Sequence, residues 1–263
     1  MSEDRPEPLS AHLQELRKRM IRVIIAFVIG FILGWLPVPM NNSSSNILSA
    51  IFLMEYRPIA AYIYYTLVVR PLPKEVKVIT LGLLTPLEVA FYICVLLGAV
   101  IAVPVLSYEL YQFVKRGLYK HERRAFKIYF TAVSLLFVAG GIFGYYIIYN
   151  ALIRLYLILY PMFGLKPYIL ARNIMNEFLG CVTFSGILFE TPIIMLILSK
   201  LNMVNPKSYV EYRPVVYAIA MILIAIFNPD PTLLSSLIWV ATFIVLYEVG
   251  ILISKRAISK SKI

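Results

Sequence analysis

The chain has 263 residues, of which 60% are hydrophobic and 15% charged, and its mean hydropathy is +0.81. These values exclude a soluble globular domain and indicate a polytopic membrane protein. The net charge of +11 would suggest nucleic-acid binding in a soluble protein. Here most lysines and arginines lie in short loops beside apolar runs, where they set membrane topology, so nucleic-acid binding is not expected.

Six apolar runs predict transmembrane helices, because a helix needs roughly 20 apolar residues to cross the hydrocarbon core. The runs are 21–40, 86–107, 126–149, 176–199, 214–228 and 232–253. The expected fold is therefore all-α, with a six-span membrane domain over 21–253. A cytoplasmic segment 1–20 precedes it, an outer loop 41–85 follows the first run, and a basic cytoplasmic tail 254–263 ends the chain.

Residues 46–69 are a weaker candidate for a seventh span. Glu55 and Arg57 divide this segment into apolar pieces of about a dozen residues or fewer, which are too short to cross. We expect amphipathic helices on the outer face instead, including one over 47–54. With six spans, 18 of the 25 lysines and arginines fall on one face, so the positive-inside tendency predicts that both termini are cytoplasmic.

Two acids lie in basic surroundings just before apolar runs on the predicted cytoplasmic face. Glu15 stands in HLQELRKRM, and Glu122 stands in YKHERR. Both fit either a surface ion pair or a site that receives a cationic partner. Glu15 has Lys18 and Arg19 one helical turn away, whereas Glu122 has no basic residue at that spacing. Glu122 is therefore the stronger candidate receptor for an external cation.

Glu190 lies deep within the fourth run. An ionised carboxylate without a partner costs at least ~2.5 kcal/mol in hydrocarbon, so this side chain should be protonated, hydrated or hydrogen-bonded. Pro192 follows two residues later and predicts a kink, because proline lacks a backbone donor. The two interpretations are a functional acid beside a water-lined concavity and a neutral acid bonded to a neighbouring helix for packing alone.

Other polar residues near the ends of the runs have structural explanations. Thr85-Pro86-Leu87-Glu88 is typical of a capping box with proline at the first helical position, which would place Pro86 and Glu88 at the outer end of the second span. Asp230 is a candidate N-cap before the sixth run. Glu248 is expected to meet Lys255 or Arg256.

The sequence contains no recognisable catalytic or cofactor-binding motif. The chain has no phosphate-binding loop, no dinucleotide-binding turn, no nucleophile–base pairing and no residues with metal-ligand spacing. Cys94 and Cys181 lie within apolar runs and are expected to be buried thiols. We therefore predict no enzyme activity, no catalytic residues, no metal site and no cofactor.

Six motifs occur in order around the six runs: HLQELRKRM, TPLE, YELYQFVKRGLYKHERR, GILFETP, NPD and LYE. In this arrangement the chain resembles the TatC family, the multispanning receptor subunit of the twin-arginine, or Sec-independent, protein translocase. The resemblance covers almost the whole length. It implies a concave six-helix bundle in the cell membrane that binds Arg-Arg signal peptides of folded substrates at its cytoplasmic face.

The resemblance also implies which residues and partners take part. The signal-binding acids would be Glu15 and Glu122, with Arg17, Arg19 and Arg123 beside them, and Glu190 would be an intramembrane polar site. Small single-span subunits of the TatA and TatB type, and further copies of the chain, would assemble around it under the proton-motive force. The alternatives are a proton-coupled small-solute transporter using Glu190 and a purely structural scaffold for other membrane subunits.

Overall fold

A computed structural model describes residues 9–38, 57–115, 123–228 and 233–259. The predicted amphipathic helix over 47–54 and the predicted N-cap Asp230 lie outside these residues.

The described chain is almost entirely helical, with one pair of short strands. The helices are α1 (Leu9–Trp35), α2 (Ile59–Ile63), α3 (Thr85–Val114), α4 (Arg123–Phe143), α5 (Asn150–Met162), α6 (Ala171–Phe189), α7 (Thr191–Lys200), α8 (Pro206–Glu211), α9 (Arg213–Phe227) and α10 (Leu233–Ser259). A π-helical turn, Tyr64–Val69, continues α2, and a second, Gly144–Tyr149, joins α4 to α5. The strands are β1 (Lys77–Ile79) and β2 (Tyr168–Leu170).

Four described helical stretches are long and apolar enough to cross a membrane. They are Thr85–Val114, Arg123–Met162, Ala171–Lys200 and Ser235–Ala257. Two apolar helices are shorter, Ile59–Val69 and Arg213–Ile226. The predicted runs 86–107, 126–149 and 176–199 lie within the first three long stretches. The helix that contains 126–149 continues beyond that run to Met162.

The first predicted run, 21–40, ends as a helix at Trp35. Two prolines follow, Pro37 and Pro39, and a proline disfavours helical geometry in the residue before it. Beyond the helix, the Leu36 carbonyl accepts a hydrogen bond from the Ile59 backbone at 2.9 Å. Arg19 and Arg22 lie inside α1, so its uncharged part begins only after Arg22.

The third long stretch, Ala171–Lys200, which contains the fourth predicted run, is interrupted where Pro192 predicts a kink. Helix α6 ends at Phe189, Glu190 separates the two helices, and α7 begins at Thr191 with Pro192 in its first turn. Proline is favourable there because its missing N–H belongs to a position that has no helical acceptor. Glu190 is thereby fixed at a helix junction rather than within a regular helix.

The chain divides into two compact units. The first contains residues 1–60 and 93–134, and the second contains 61–92 and 135–263. Within the first unit, α1 and α3 approach closely, because a methyl group added to Gly30 would lie 2.8 Å from the Cα of Gly98. Within the second, α7 and α10 pack around a core of Met195, Tyr247 and Ile251.

The two strands also belong to the second unit and pair in parallel. Lys77, Val78 and Ile79 stand opposite Tyr168, Ile169 and Leu170. Strand β2 leads directly into α6, and β1 is followed after five residues by α3. The pair therefore joins the segments that precede two of the long helices.

Candidate functional site

A network of charged side chains connects α1 to α3 in the first unit. Helix α1 contributes Glu15, Arg19 and Arg22, which lie on one face because their spacing is four and then three residues. Helix α3 contributes Glu109, near its last turn. The side chains of Glu15, Arg19 and Glu109 are 17%, 12% and 6% exposed, whereas that of Arg22 is 64% exposed.

Arg19 binds both acids at once. Its Nε donates to Glu15 Oε1 at 3.0 Å, and its Nη1 donates to Glu109 Oε2 at 3.0 Å and to the Glu109 carbonyl oxygen at 3.2 Å. Arg22 Nη1 donates to the other Glu109 oxygen, Oε1, at 2.9 Å. Acidic and basic side chains therefore alternate in this network, and Glu109 accepts hydrogen bonds from two arginines. Such charge-assisted hydrogen bonds are stronger than those between neutral groups.

Only part of this network is predictable from local sequence spacing. Of the two local partners predicted for Glu15, Arg19 is the one that binds it, while Lys18 and the predicted site residue Arg17 are exposed. Glu109 was missed, because its partner Arg19 lies 90 residues away in the sequence. The available signal was an acid just beyond the end of an apolar run, at the face predicted for Glu15.

Glu122, the other predicted signal-binding acid, lies outside the described residues. Its neighbour Arg123 begins α4, and the Arg123 carbonyl accepts a hydrogen bond from the Tyr111 hydroxyl at 3.3 Å. Tyr111 is buried and its ring lies 6.0 Å from that of Phe130. The end of α3 and the start of α4 are thus bonded to each other on either side of residues 116–122.

Glu190 lies in the second unit and is 9% exposed. Neither of its carboxylate oxygens has a hydrogen-bond partner among the described residues. Two residues close to it in sequence, Phe189 and Pro192, are tightly packed: a methyl group on Gly140 would lie 2.8 Å from Phe189 Cβ, and one on Gly250 would lie 3.1 Å from Pro192 Cα. The helix junction that carries Glu190 is therefore held on two sides by neighbouring helices.

The acids with structural explanations have partners other than those predicted. Glu88 Oε2 lies 3.6 Å from Arg172 Nε, so it joins the start of α3 to the start of α6, and Pro86 is the second helical residue rather than the first. Glu248 was expected to meet Lys255 or Arg256. That prediction is wrong, because Glu248 accepts hydrogen bonds from Arg213 at 2.5 Å and from the Tyr217 hydroxyl at 2.6 Å.

Cys94 and Cys181 are both fully buried. Within the described ranges, no group of three or more histidine, cysteine, aspartate or glutamate side chains is placed to hold a metal ion.

The chain is similar along most of its length to proteins of known type. A profile described as Sec-independent protein translocase protein (TatC) matches residues 11–241. The chain belongs to the TatC family. It is 31% identical to the Sec-independent protein translocase protein TatC of Aquifex aeolicus over 97% of this chain and 98% of that protein. It is also 31% identical to TatCy of Bacillus subtilis, over 97% of this chain and 91% of that protein.

A solved structure supports the same relationship. It is described as the crystal structure of the twin-arginine translocase receptor TatC, and it matches with a TM-score of 0.72 and 30% identity over 94% of this chain and 99% of that one. The expected fold class is confirmed: the chain is an all-helical polytopic membrane protein with the TatC fold.

Family membership also confirms the functional class. The chain is the TatC subunit of the twin-arginine protein translocase, a transport component and not an enzyme. A small-solute transporter, the runner-up interpretation of Glu190, is not supported.

Proposed function

We propose that this subunit is the receptor for Arg-Arg signal peptides of folded substrates, and that Glu15 and Glu122 accept the two arginines. The observation that carries the proposal is the position of Glu15. It lies in the part-buried network near the start of α1, where guanidinium groups already bind carboxylates. Arg17, Arg19 and Arg123 belong to the same proposed surface.

The chemistry of arginine supports this choice of acids. A guanidinium group is planar, permanently charged and able to donate two parallel hydrogen bonds to one carboxylate, which a lysine ammonium group cannot do. Each charged hydrogen bond contributes about 1.5 to 3 kcal/mol when the site is partly desolvated. Two adjacent arginines in a peptide therefore need two acids, and a Lys-Lys peptide should bind more weakly.

The proposed surface faces the cytoplasm. Glu15 and Glu122 lie in segments that carry most of the positive charge of the chain, including Arg17, Lys18 and Arg124, and such segments remain cytoplasmic in membrane proteins. Both termini are cytoplasmic in this topology. Substrates would therefore meet the receptor before they cross the membrane.

Glu190 has a different proposed role, in assembly within the membrane. Small single-span subunits and further copies of this chain would gather around the membrane domain, with the proton-motive force as the energy source. An intramembrane acid that has no hydrogen-bond partner among the described residues is a functional residue by default, because its burial is costly. A polar group on a partner helix would satisfy it.

Photo-crosslinking tests the receptor role. A photoreactive residue replaces the exposed Gln14, next to Glu15, and the purified protein is irradiated with a synthetic signal peptide carrying either Arg-Arg or Lys-Lys. We expect strong labelling by the Arg-Arg peptide and a large loss in Glu15→Gln and in Glu122→Gln. The matched control is Glu88→Gln, an acid-to-amide change at the predicted outer face, which should label normally.

The receptor assignment fails if folded protein labels equally with both peptides, or if Glu15→Gln and Glu122→Gln together leave labelling unchanged. Glu15 and Glu122 would then be ordinary surface acids.

A further inference from the structure

Arg19 approaches Glu15 in the manner of a bound guanidinium ligand. Both Nε and Nη2 of Arg19 donate to the same oxygen, Glu15 Oε1. These are two adjacent donors on one edge of the guanidinium group, the edge that an arginine of a peptide would also present to a carboxylate. The chain therefore fills, with its own arginine, the position at which the proposed function places a signal arginine.

The remaining donors of Arg19 show where it would stay bound if Glu15 were taken by another arginine. Its Nη1 donates to the side chain and to the backbone carbonyl of Glu109. Glu109 is 6% exposed and is also bound by Arg22, so it is anchored independently of Glu15. Arg19 would therefore keep a counter-ion when it loses Glu15.

A buried guanidinium without a counter-ion is strongly unfavourable. Because the Arg19 side chain is only 12% exposed, displacing it from Glu15 would be costly if Glu109 were not charged. Glu109 thus determines how readily Arg19 gives up Glu15, although Glu109 itself need not touch the peptide.

We propose that Arg19 is an internal competitor for the signal-arginine position at Glu15, and that Glu109 is the positioning residue that retains Arg19 when a signal peptide displaces it. This inference rests on the proposed receptor function and adds a regulated step to it. In the free receptor Arg19 occupies Glu15, and only a ligand that can form the same two-donor contact with Glu15 can displace it. A guanidinium meets that requirement, whereas a lysine ammonium group does not.

Fluorescence anisotropy with a labelled Arg-Arg signal peptide and the detergent-purified full chain tests the inference. Removing the competitor in Arg19→Gln should tighten binding by about tenfold, because the competent fraction of Glu15 rises. Glu109→Gln should weaken it by a similar factor. In the double variant the loss of Glu109 should have no effect, so its Kd should equal that of Arg19→Gln within about twofold.

This double variant separates competition from a general effect of charge. If the substitutions acted only through the local electric field, their effects would add, and the double variant would bind like the unmodified chain. Two further variants sharpen the comparison. Arg19→Lys keeps the charge but loses the two-donor edge, so it should bind the peptide more tightly than the unmodified chain. Lys127→Gln removes an exposed charge in the same unit and should change Kd by less than about threefold.

The possible outcomes separate failure of the proposed competition by Arg19 from failure of the proposed receptor function. If the unmodified chain does not bind the Arg-Arg peptide, the receptor function and the inference both fail. If it binds, but the variants are additive or Arg19→Gln matches Lys127→Gln, the inference fails and the receptor function stands. The comparison of Arg19→Gln, Arg19→Lys and Lys127→Gln decides the matter even if Glu109→Gln does not fold.

Discussion

Replacing Glu190 by leucine should make the protein more stable while reducing export of twin-arginine substrates. Glu190 is 9% exposed, and neither carboxylate oxygen has a hydrogen-bond partner among the described residues. A buried polar group in that state costs free energy that leucine would not incur. Residues kept for function frequently carry such a cost, so stability and activity should change in opposite directions.

The size of the effect follows from the missing bonds. A buried, unsatisfied polar group costs roughly 1–3 kcal/mol. For a chain of this size, each kcal/mol changes Tm by about 2–4 °C, so Glu190→Leu should raise Tm by between about 2 and 12 °C. Glu190→Gln should give a smaller change, because the amide remains polar and equally unpaired.

The assay is thermal unfolding of the detergent-purified protein, paired with export of an Arg-Arg reporter in cells. Glu248→Gln is the matched control, since Glu248 is an acid near a helix contact that does have partners, Arg213 and Tyr217. It should lower stability by about 0.5–1 kcal/mol, a small value because the pair is more than a third exposed. If Glu190→Leu instead lowers Tm, the carboxyl group makes a stabilising bond and the reasoning is refuted.

Three further predictions concern packing, surface charge and thiol burial. Gly140→Ala should lower the free energy of unfolding by about 1–3 kcal/mol, because its methyl group would lie 2.5 Å from the Ser185 carbonyl oxygen. The neighbouring change Gly141→Ala, whose methyl group would lie 3.4 Å from Val182, should be neutral or stabilising. Thermal unfolding of both variants measures the difference, and equal effects would contradict the packing. Glu88→Gln should change the free energy of unfolding by less than about 1 kcal/mol, because its partner Arg172 is 3.6 Å away and exposed; a larger loss in denaturant titration would disprove this. Cys94 and Cys181 should react with maleimide only after unfolding, as mass spectrometry would measure, since both are fully buried; rapid labelling of the folded protein would show that the packing is wrong.

Hydropathy and the length of the apolar runs predicted the long helices, because both are local properties of the sequence. The runs 86–107, 126–149 and 176–199 each lie inside one of the described helical stretches, and the last of these is interrupted at Glu190. Pro192 likewise predicted the interruption beside Glu190, because proline acts on the backbone of its own turn. The π-helical turns at 64–69 and 144–149 had no signal of this kind in the sequence.

The partners of the acids were predictable only when they lay one helical turn away. Arg19 follows Glu15 by four residues and binds it as expected. Glu109 and Glu248 bind arginines on other helices, at separations of 90 and 35 residues, and such pairs depend on how the helices pack. Sequence spacing favoured Lys255 or Arg256 for Glu248, and tertiary packing selected Arg213 instead.

The small parallel sheet has a consequence for the number of membrane crossings. Backbone groups of an open strand pair cannot be satisfied in hydrocarbon, so β1 and β2 lie outside the bilayer core and on the same side of it. Helices α3 and α6 start just after these strands and therefore enter the membrane from that one side. The chain that leaves along α3 must return before it starts α6, which requires an odd number of crossings between them. Among the described residues, the continuous helix Arg123–Met162 supplies that single return.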